Sequence, residues 1–357
     1  MVNLSDNKIL RRKTREITLG KVKLGGENPI RVQSMTTPKT ADYVSVVKQI
    51  HELEAAGCEI VRVTVNEKDA ADALPDILPH IHIPLIADIH FDYKMALEAM
   101  KHDVACVRIN PGNIGAEHKT IEIIQMAKDT GKAIRIGVNA GSLEKPLLRK
   151  YGHPTPEALV ESALAAINLL ERHNFKNFKV SIKSSDVLSN YRAYSLLSAQ
   201  TEAPLHLGVT EAGTKNYGTV KSAVGIGSLL LAGIGDTIRV SLSCDPVEEV
   251  KAGVFILKSL GLKNDTAEII SCPSCGRADI DVYKLAEEVE RRALGLKKNI
   301  KIAVMGCVVN GPGESMEADI GIAGGKGEGL VYKKGKPIGK VPEAQMLDFL
   351  MAEIERM

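Results

Sequence analysis

Residues 105–138 read ACVRINPGNIGAEHKTIEIIQMAKDTGKAIRIGV, and this stretch carries the pattern that repeats through most of the chain. It opens with a short β-branched run at residues 105–110 and closes with a second one at residues 133–138. Between them, residues 121–128 place apolar side chains at the three- and four-residue spacing of a helix. A strand, a helix and a strand in this order predict two parallel strands joined by a crossover helix.

The same alternation continues from residue 30 to residue 262. The predicted strands cover residues 30–34, 59–64, 84–89, 105–110, 133–138, 177–182, 205–209 and 237–241. Helical spacing is clear at residues 44–55, 121–128, 157–172 and 217–231. Eight such units over about 230 residues predict a (β/α)8 TIM barrel. An open doubly wound sheet is the alternative, but it usually has a glycine-rich loop after its first strand, and residues 34–38 do not form one.

A different pattern follows residue 262 and predicts a second domain. Strands are expected at residues 268–271 and 300–305, a charged helix at 281–294 and a final helical segment at 343–355. The glycine-rich stretch at residues 321–329 leads into an expected strand at 330–332, and its run at residues 321–327 is interpreted as a hairpin loop. We therefore predict a barrel domain at residues 1–263, preceded by a short arm or hairpin in its first 25 residues, and a smaller α/β domain at residues 264–357.

Composition excludes several classes of protein. The formal charge is only +2 and there is no long basic run, so no nucleic-acid footprint is indicated. The N-terminal residues lack the apolar core of a secretory signal, and no segment approaches the ~20 apolar residues that span a bilayer. Six cysteines in 357 residues are too sparse for a disulfide scaffold. A cytoplasmic protein without membrane or nucleic-acid partners is expected.

Four predicted strands share the form apolar-arginine-apolar. In a (β/α)8 barrel the helices cover the outer face of the strands, so these arginines should point inward near the strand ends, where the chemistry of such barrels lies. Only Asp88 and Glu211 are obvious carboxylates at those ends. The excess positive charge predicts an anionic ligand with more than one phosphate. The alternative is that carboxylates from the loops pair with the arginines, which are Arg62, Arg108, Arg135 and Arg239.

Other polar residues at the predicted strand ends complete the candidate site. The candidate substrate-binding residues, besides the four arginines, are Asn139, Lys183, His206, Thr210 and Ser241. Asp88, His90 and Glu211 are candidate catalytic residues. A carboxylate beside arginines is normally ionised, so Glu211 is expected to act as a base or to stabilise charge.

Three cysteines in the second domain form a motif, Cys272-Pro-Ser-Cys275-Gly-Arg followed by Cys307. A thioredoxin-like dithiol would leave Cys307 unexplained. Structural zinc needs a fourth ligand, and because no histidine occurs after residue 265 that ligand would have to be Cys244. The interpretation we favour is a [4Fe–4S] cluster, which three thiolates can hold while one iron remains open to an oxygen ligand. A glycine- and proline-rich loop after Cys307 could turn Glu314 toward that iron, which makes Glu314 a candidate catalytic residue as well as a candidate ligand.

These motifs together resemble the 4-hydroxy-3-methylbut-2-enyl diphosphate synthase family in its bacterial two-domain form. The matching stretches are residues 33–36 (QSMT), 87–91 (ADIHF), 107–112 (VRINPG), 135–139 (RIGVN), 207–213 (LGVTEAG), 272–277 (CPSCGR) and 306–314 (GCVVNGPGE).

The resemblance implies a TIM barrel followed by a domain similar to those of sulfite and nitrite reductases. It implies a [4Fe–4S] cluster with Cys272, Cys275, Cys307 and Glu314 as ligands. The implied reaction is a two-electron reductive ring opening and dehydration of 2-C-methyl-D-erythritol 2,4-cyclodiphosphate, with electrons from reduced flavodoxin or ferredoxin. A homodimer is also implied, in which the cluster domain of one subunit closes over the barrel of the other. The competing hypothesis is a zinc-containing barrel enzyme acting on a phosphorylated sugar or pterin without redox chemistry.

Overall fold

The computed structural model describes residues 2–3, 8–293, 296 and 298–357. The chain divides into two compact units, residues 1–262 and 263–357. No helix within the described residues is long and apolar enough to cross a membrane.

The first unit alternates strands and helices. Its strands are β1 Val2–Asn3, β2 Lys8–Ile9, β3 Ile17–Leu19, β4 Val22–Leu24, β5 Arg31–Met35, β6 Ile60–Thr64, β7 Leu85–Asp88, β8 Cys106–Ile109, β9 Ala133–Asn139, β10 Phe178–Lys183, β11 His206–Leu207 and β12 Thr237–Ile238. Its helices are α1 Tyr43–Ala55, α2 Lys68–Asp72, α3 Leu74–Ile77, α4 Tyr93–Met100, α5 Pro111–Ile114, α6 Glu117–Thr130, α7 Lys145–Tyr151, α8 Pro156–Arg172, α9 Val187–Ser198, α10 Lys215–Leu231 and α11 Pro246–Ser259. Short 3-10 turns lie at Leu78–His80 and Ala140–Ser142.

Strands β5 to β12 form one parallel sheet in the order β10-β9-β8-β7-β6-β5-β12-β11. A parallel bridge between Val180 and Leu205 joins the two end strands and closes the ring. The eight predicted strands and the predicted barrel are confirmed, and the open doubly wound sheet is wrong. The four predicted helices are also present, with ends that differ by a few residues.

The barrel is closed at the N-terminal ends of its strands by the hairpin β3–β4. Leu19 and Leu24 are fully buried and pack against inward-facing side chains at the strand starts. Those side chains are apolar: Ile60, Ile86, Cys106 and Ala133. The predicted N-terminal hairpin is therefore confirmed for residues 17–24, and residues 1 and 4–7 of the predicted arm lie outside the described part of the chain. The floor of the barrel is a small hydrophobic core.

The second unit is a five-stranded sheet with helices. Its strands are β13 Glu268–Ser271, β14 Lys301–Met305, β15 Ile320–Gly325, β16 Glu328–Lys333 and β17 Lys336–Pro342, in that order across the sheet. The first three are parallel, and the last two continue antiparallel. The helices are α12 Val282–Ala293, α13 Gly311–Glu317 and α14 Met346–Glu355, with a 3-10 turn at Glu343–Gln345.

Two expectations for this unit need correction. The glycine-rich run does form a hairpin, since β15 and β16 pair antiparallel, but residues 321–325 belong to β15 and the loop is only the tight turn at residues 326–327. The segment after Cys307 is not a loop throughout, because Glu314 lies in α13. Leu294, the predicted end of the charged helix, falls outside the described residues.

The hydrophobic floor should contribute strongly to stability. Replacing Leu24, which is fully buried, by alanine should lower the free energy of unfolding by about 2–5 kcal/mol, because it removes apolar contacts and leaves a cavity. Urea unfolding of the first unit measures the change. The matched control is Val44→Ala on α1, where the side chain is 64% exposed and a change below about 0.5 kcal/mol is expected. Equal effects of the two substitutions would show that the hairpin does not seal the barrel.

Candidate active site

The interior of the barrel above its apolar floor is polar and cationic. Strand residues alternate between the helix-covered outer face and the interior, so each arginine flanked by apolar residues turns inward. Val107, Ile109, Ile134 and Ile136 are fully buried in the outer core, whereas Arg108 and Arg135 face the interior between them. The inward-facing cations are Arg62, Arg108, Arg135, Lys179, Lys183 and Arg239.

Asp88 at the end of β7 is the carboxylate around which part of this site is organised. Its Oδ1 is 3.1 Å from Nη1 of Arg108, and its Oδ2 is 3.5 Å from Nε of Arg62. Nε2 of His90 lies 3.8 Å from the same Oδ2. Burial opposes ionisation of Asp88, but the two arginines outweigh it, so the pKa of this carboxyl lies below its usual range. Asp88 is therefore an ionised anchor for both arginines.

Arg108 is also held from the neighbouring strand. Its Nη2 donates to the carbonyl oxygen of Gly137 at 3.1 Å. A Cβ at position 137 would lie 2.4 Å from Nε of Arg108, so only glycine leaves room for the guanidinium. With its amide oriented to satisfy both neighbours, Asn139 accepts from Nη2 of Arg108 at 3.2 Å. The guanidinium is thus fixed between β7 and β9.

Arg135 has no carboxylate partner within the described residues. Its Nη2 donates to the hydroxyl of Ser181 at 3.0 Å, while its Nε and Nη1 are buried without a hydrogen-bond partner. Burial, reinforced by the charges of Arg62 and Arg108, holds the pKa of Arg135 well below its usual range. The two buried nitrogen atoms without partners could donate hydrogen bonds to an anionic oxygen of a ligand.

Lys183 and His206 form a second buried group beside it. Nζ of Lys183 is 3.3 Å from Nε2 of His206, whose Nδ1 is 2.9 Å from the hydroxyl of Thr237. Burial and neighbouring cations place the pKa values of Lys183 and His206 well below their usual range. At position 208 a Cβ would lie 2.5 Å from Nζ of Lys183, so this lysine also depends on a glycine.

Lys179 was missed by the sequence analysis. It is fully buried one layer below Lys183 on β10, and its Nζ donates to Oε1 of Gln33 at 3.4 Å. Burial lowers its pKa to about 7. The signal was present in the sequence, because alternation along β10 places Lys179, Ser181 and Lys183 on one face.

Glu249 on α11, and not Glu211, is the second carboxylate that pairs with the inward-facing cations. Its Oε2 is 3.4 Å from Nη2 of Arg239, and its Oε1 accepts from the backbone N–H of Leu242 at 2.8 Å. The hypothesis that structural carboxylates neutralise the arginines thus holds for Arg239, but not for Arg135. Glu211 is exposed and has a φ of 52°, in the left-handed region that costs a non-glycine residue free energy.

The remaining sequence-predicted residues lie at the same ends of the strands. Thr210 follows β11, and its backbone N–H donates to the carbonyl oxygen of Ser184 at 3.3 Å. Ser241 is half-buried three residues after β12. His90 is half-buried beside Asp88. The barrel mouth therefore gathers the predicted substrate-binding residues around a cation-rich interior.

The second unit brings its three cysteines to one edge of the sheet. Cys272 directly follows β13, and Cys307 follows β14 by two residues, so parallel pairing places both at the carboxyl ends of adjacent strands. The backbone N–H of Gly306 donates to Sγ of Cys272 at 3.3 Å. Ser274, with a φ of 52°, turns the chain between Cys272 and Cys275. All three thiols are free and at least partly exposed.

The donor set at this edge fits an iron–sulfur cluster better than a single zinc ion. Structural zinc is normally enclosed by four sulfur or nitrogen ligands, whereas three thiols lie in this part of the described chain. A [4Fe–4S] cluster can be held by three thiolates, with an oxygen ligand on its fourth iron. A Cβ at position 306 would lie 2.3 Å from Cγ2 of Val282 and 3.5 Å from Sγ of Cys272, so glycine keeps this edge open.

Two family models match the chain. The model described as the GcpE TIM-barrel domain matches residues 14–254, and the model described as the GcpE protein C-terminal domain matches residues 268–356.

Full-length relatives agree with this match. One is the 4-hydroxy-3-methylbut-2-en-1-yl diphosphate synthase (flavodoxin) of Caldanaerobacter subterraneus subsp. tengcongensis, 56% identical over 98% of this chain and 98% of its own. The protein of the same name from Clostridium perfringens is 55% identical over 97% of this chain and 99% of its own.

A solved structure of N-acetylneuraminic acid (sialic acid) synthetase from Leptospira borgpetersenii superposes with a TM-score of 0.50 at 14% identity, covering 71% of this chain and 92% of that chain. At that identity the likeness concerns the fold alone.

The buried cations predict that anion binding takes up protons. Sulfate should raise the pKa values of Lys179, Lys183 and His206, because it adds negative charge beside groups whose pKa values burial has lowered. Protons then bind together with sulfate, and its affinity should fall as the pH rises through 7 and above. Isothermal titration at pH 7.5 in two buffers of different ionisation enthalpy measures the uptake, since sulfate itself does not titrate there. Identical binding enthalpies in the two buffers, in an enzyme that binds sulfate, would contradict this prediction.

Proposed function

The chain belongs to the GcpE family, and from this membership and the site described above we propose that it carries out its reduction with a [4Fe–4S] cluster held by Cys272, Cys275, Cys307 and Glu314. It is an oxidoreductase of isoprenoid biosynthesis that forms 4-hydroxy-3-methylbut-2-enyl diphosphate. The competing hypothesis of a zinc-containing barrel enzyme without redox chemistry is therefore wrong. The observation that carries the proposal is the conjunction of a cation-rich barrel interior with three free thiols at one sheet edge.

The barrel interior is suited to the cyclic diphosphate. Arg135 offers two buried donors without partners, and Arg62 and Arg108 share the single carboxylate of Asp88. We assign the phosphate oxygens to these arginines, to Lys183 and to Arg239. Asn139, His206, Thr210 and Ser241 are proposed to complete the binding of the ring. Because the guanidinium groups are fixed before the substrate arrives, little conformational entropy is lost on binding.

The second unit would supply the electrons. When bound, the cluster would deliver electrons one at a time and offer one iron that is not held by a thiolate. Three cysteines are the strong ligands, and Glu314, exposed in the first turn of α13, provides the weaker carboxylate. The reaction consumes two electrons and two protons and releases water, so the chain must also provide a path for protons.

Glu211 and His90 are the proposed proton carriers. Glu211 is exposed at the barrel mouth and held in a strained backbone conformation, which is a feature concentrated at functional sites. His90 is half-buried with Nε2 3.8 Å from Oδ2 of Asp88, so an imidazolium there would be stabilised by the carboxylate. Asp88 itself acts by positioning, because two arginines keep it ionised.

Flavodoxin is the electron donor named for the relatives, and we propose reduced flavodoxin, with ferredoxin as the other single-electron donor, for this chain. We place the protein in the cytoplasm, where both donors are found.

We also propose the homodimer, with the cluster domain of one chain serving the barrel of the other. One face of α10 supports an interface between copies, because it exposes apolar side chains that nothing within the described residues covers. Val220 and Val224 are 63% and 56% exposed, and Leu231 is 43% exposed on the same face. Gly227 lies beside them with open space around its Cβ position, which allows close approach of another helix.

Two substitutions separate the roles of the two units. Cys307→Ser should lose iron and all turnover, because the cluster loses a thiolate. Arg135→Ala should retain its iron and bind the cyclic diphosphate at least tenfold more weakly, because a charge-assisted hydrogen bond to a phosphate is lost. Anaerobic iron and sulfide quantitation and substrate titration measure both. Full activity of a colourless Cys307→Ser enzyme would refute the cluster.

Glu211→Gln is a third variant. It should keep its iron content and its affinity for the cyclic diphosphate and should lower kcat, because it removes a proposed proton carrier.

The shared site can be tested by mixing Cys307→Ser, which should be inactive, with Arg135→Ala, at a substrate concentration low enough that the weakened Arg135→Ala site is almost empty. If each site joins the barrel of one chain to the cluster of the other, a heterodimer of Cys307→Ser and Arg135→Ala contains one intact site. Random mixing should then restore about a quarter of wild-type activity, since half of the dimers are mixed and each has one good site of two.

If both parts of a site came from the same chain, mixing would add nothing to the residual activity of Arg135→Ala. The substitution Val224→Glu, introduced into both variants, should abolish the restoration by dissociating the dimer. The same change at Val44, exposed on α1, is the matched control and should leave the restoration intact.

A further inference from the structure

Three potential metal ligands meet on the outer surface of the barrel, away from the site described above. His51 and Glu54 lie three residues apart on α1, and His82 lies between the 3-10 turn Leu78–His80 and β7. A ring nitrogen of each histidine and a carboxylate oxygen of Glu54 all lie within 4.8 Å of one another. Spacing of three residues places His51 and Glu54 on one face of the helix.

The backbone holds these ligands in place. The carboxylate oxygen Oε1 of Glu54 accepts from the backbone N–H groups of His82 and Ile83 at 2.7 and 3.2 Å. Its Oε2 is 3.0 Å from Nδ1 of His82. Nε2 of His51 is 2.7 Å from the carbonyl oxygen of His80, and this contact fixes the ring. Ligand orientation by backbone and carboxylate partners is the arrangement that surrounds histidine ligands in metal sites.

We propose that His51, Glu54 and His82 bind a divalent cation of the zinc class. Two imidazoles and one carboxylate are the donor set of Zn²⁺, Co²⁺ and Ni²⁺ and not of Mg²⁺ or Ca²⁺, which take oxygen ligands. Three protein ligands leave a position for water, and the exposure of both histidines admits it.

The position of the group indicates a stabilising role. Helix α1 runs back from the end of β5, so its last turn lies at the N-terminal ends of the strands, and His82 precedes the start of β7 at the same end. In (β/α)8 barrels this face contributes stability, whereas catalysis lies at the opposite face. The helix is anchored to the core by Val46, Ile50 and Leu53, all fully buried. A bound ion would tie α1 to the segment that leads into β7.

Zinc binding to the anaerobically prepared, iron-loaded enzyme tests the proposal. Equilibrium dialysis against 50 µM Zn²⁺, followed by elemental analysis of zinc and iron, should find one zinc per chain with iron content unchanged. His51→Ala and His82→Ala should each lose that zinc. His153→Ala, at an exposed histidine between α7 and α8, is the matched control and should keep it.

A second measurement distinguishes binding from a merely structural contact between the side chains. Zinc should raise the Tm of the wild-type enzyme and leave that of His82→Ala unchanged, because a ligand stabilises only the state that binds it. Turnover of the three variants without zinc should match the wild type. Equal zinc content in wild type and His82→Ala, or the same Tm shift in both, would overturn the proposal and leave an ordinary surface ion pair between His82 and Glu54.

Discussion

The barrel interior contains more buried cations than carboxylates, and the pKa values and the ligand binding of the site depend on this excess. Arg62 and Arg108 share Asp88, Arg239 pairs with Glu249, and Arg135, Lys179 and Lys183 have no carboxylate within ion-pair distance in the described chain. Removing a charge from water without a partner costs several kcal/mol. Two responses relieve that cost: burial lowers the pKa values of Lys179 and Lys183, which favours their neutral forms, and an anionic ligand supplies the missing negative charge. The affinity for a diphosphate and the uptake of protons on anion binding therefore both follow from the excess of buried cations over carboxylates.

An interior of this kind needs stability from elsewhere in the same barrel. The β-branched residues on the outer faces of the strands supply most of it, since they pack against the helices. At the N-terminal end, the hairpin carrying Leu19 and Leu24 closes the interior with a dry floor. The same eight strands therefore carry the apolar outer faces, the apolar floor and the polar interior, because successive side chains along each strand point to opposite sides. Asp88 can lie near the hydrophobic floor because both arginines reach it from adjacent strands.

The sequence allowed the strands and the inward direction of the arginines to be predicted, because a charge between β-branched residues leaves few alternatives in a covered sheet. Glu249 could not be predicted as a partner of Arg239, since the pairing joins a helix to a strand and depends on tertiary packing. Lys179 was not predicted because the candidates were restricted to strand ends, although the alternation of side chains along β10 places Lys179 on the same inward face as Lys183. The strand β15 was misassigned because its glycines suggested a loop by composition, and their role depends on neighbours that local sequence does not reveal.

Those glycines explain how the thiol edge can exist. A Cβ at position 321 would lie 2.7 Å from Cβ of Ser315, and one at position 324 would lie 2.9 Å from the carbonyl oxygen of Gly306. Glycine in β15 therefore lets α13 and the segment before Cys307 approach the sheet closely, at a cost in strand propensity. The barrel uses the same device, because Gly137 and Gly208 make room for Arg108 and Lys183. In both units, functional groups occupy the carboxyl ends of parallel strands, and small residues on neighbouring elements determine how closely those groups can gather.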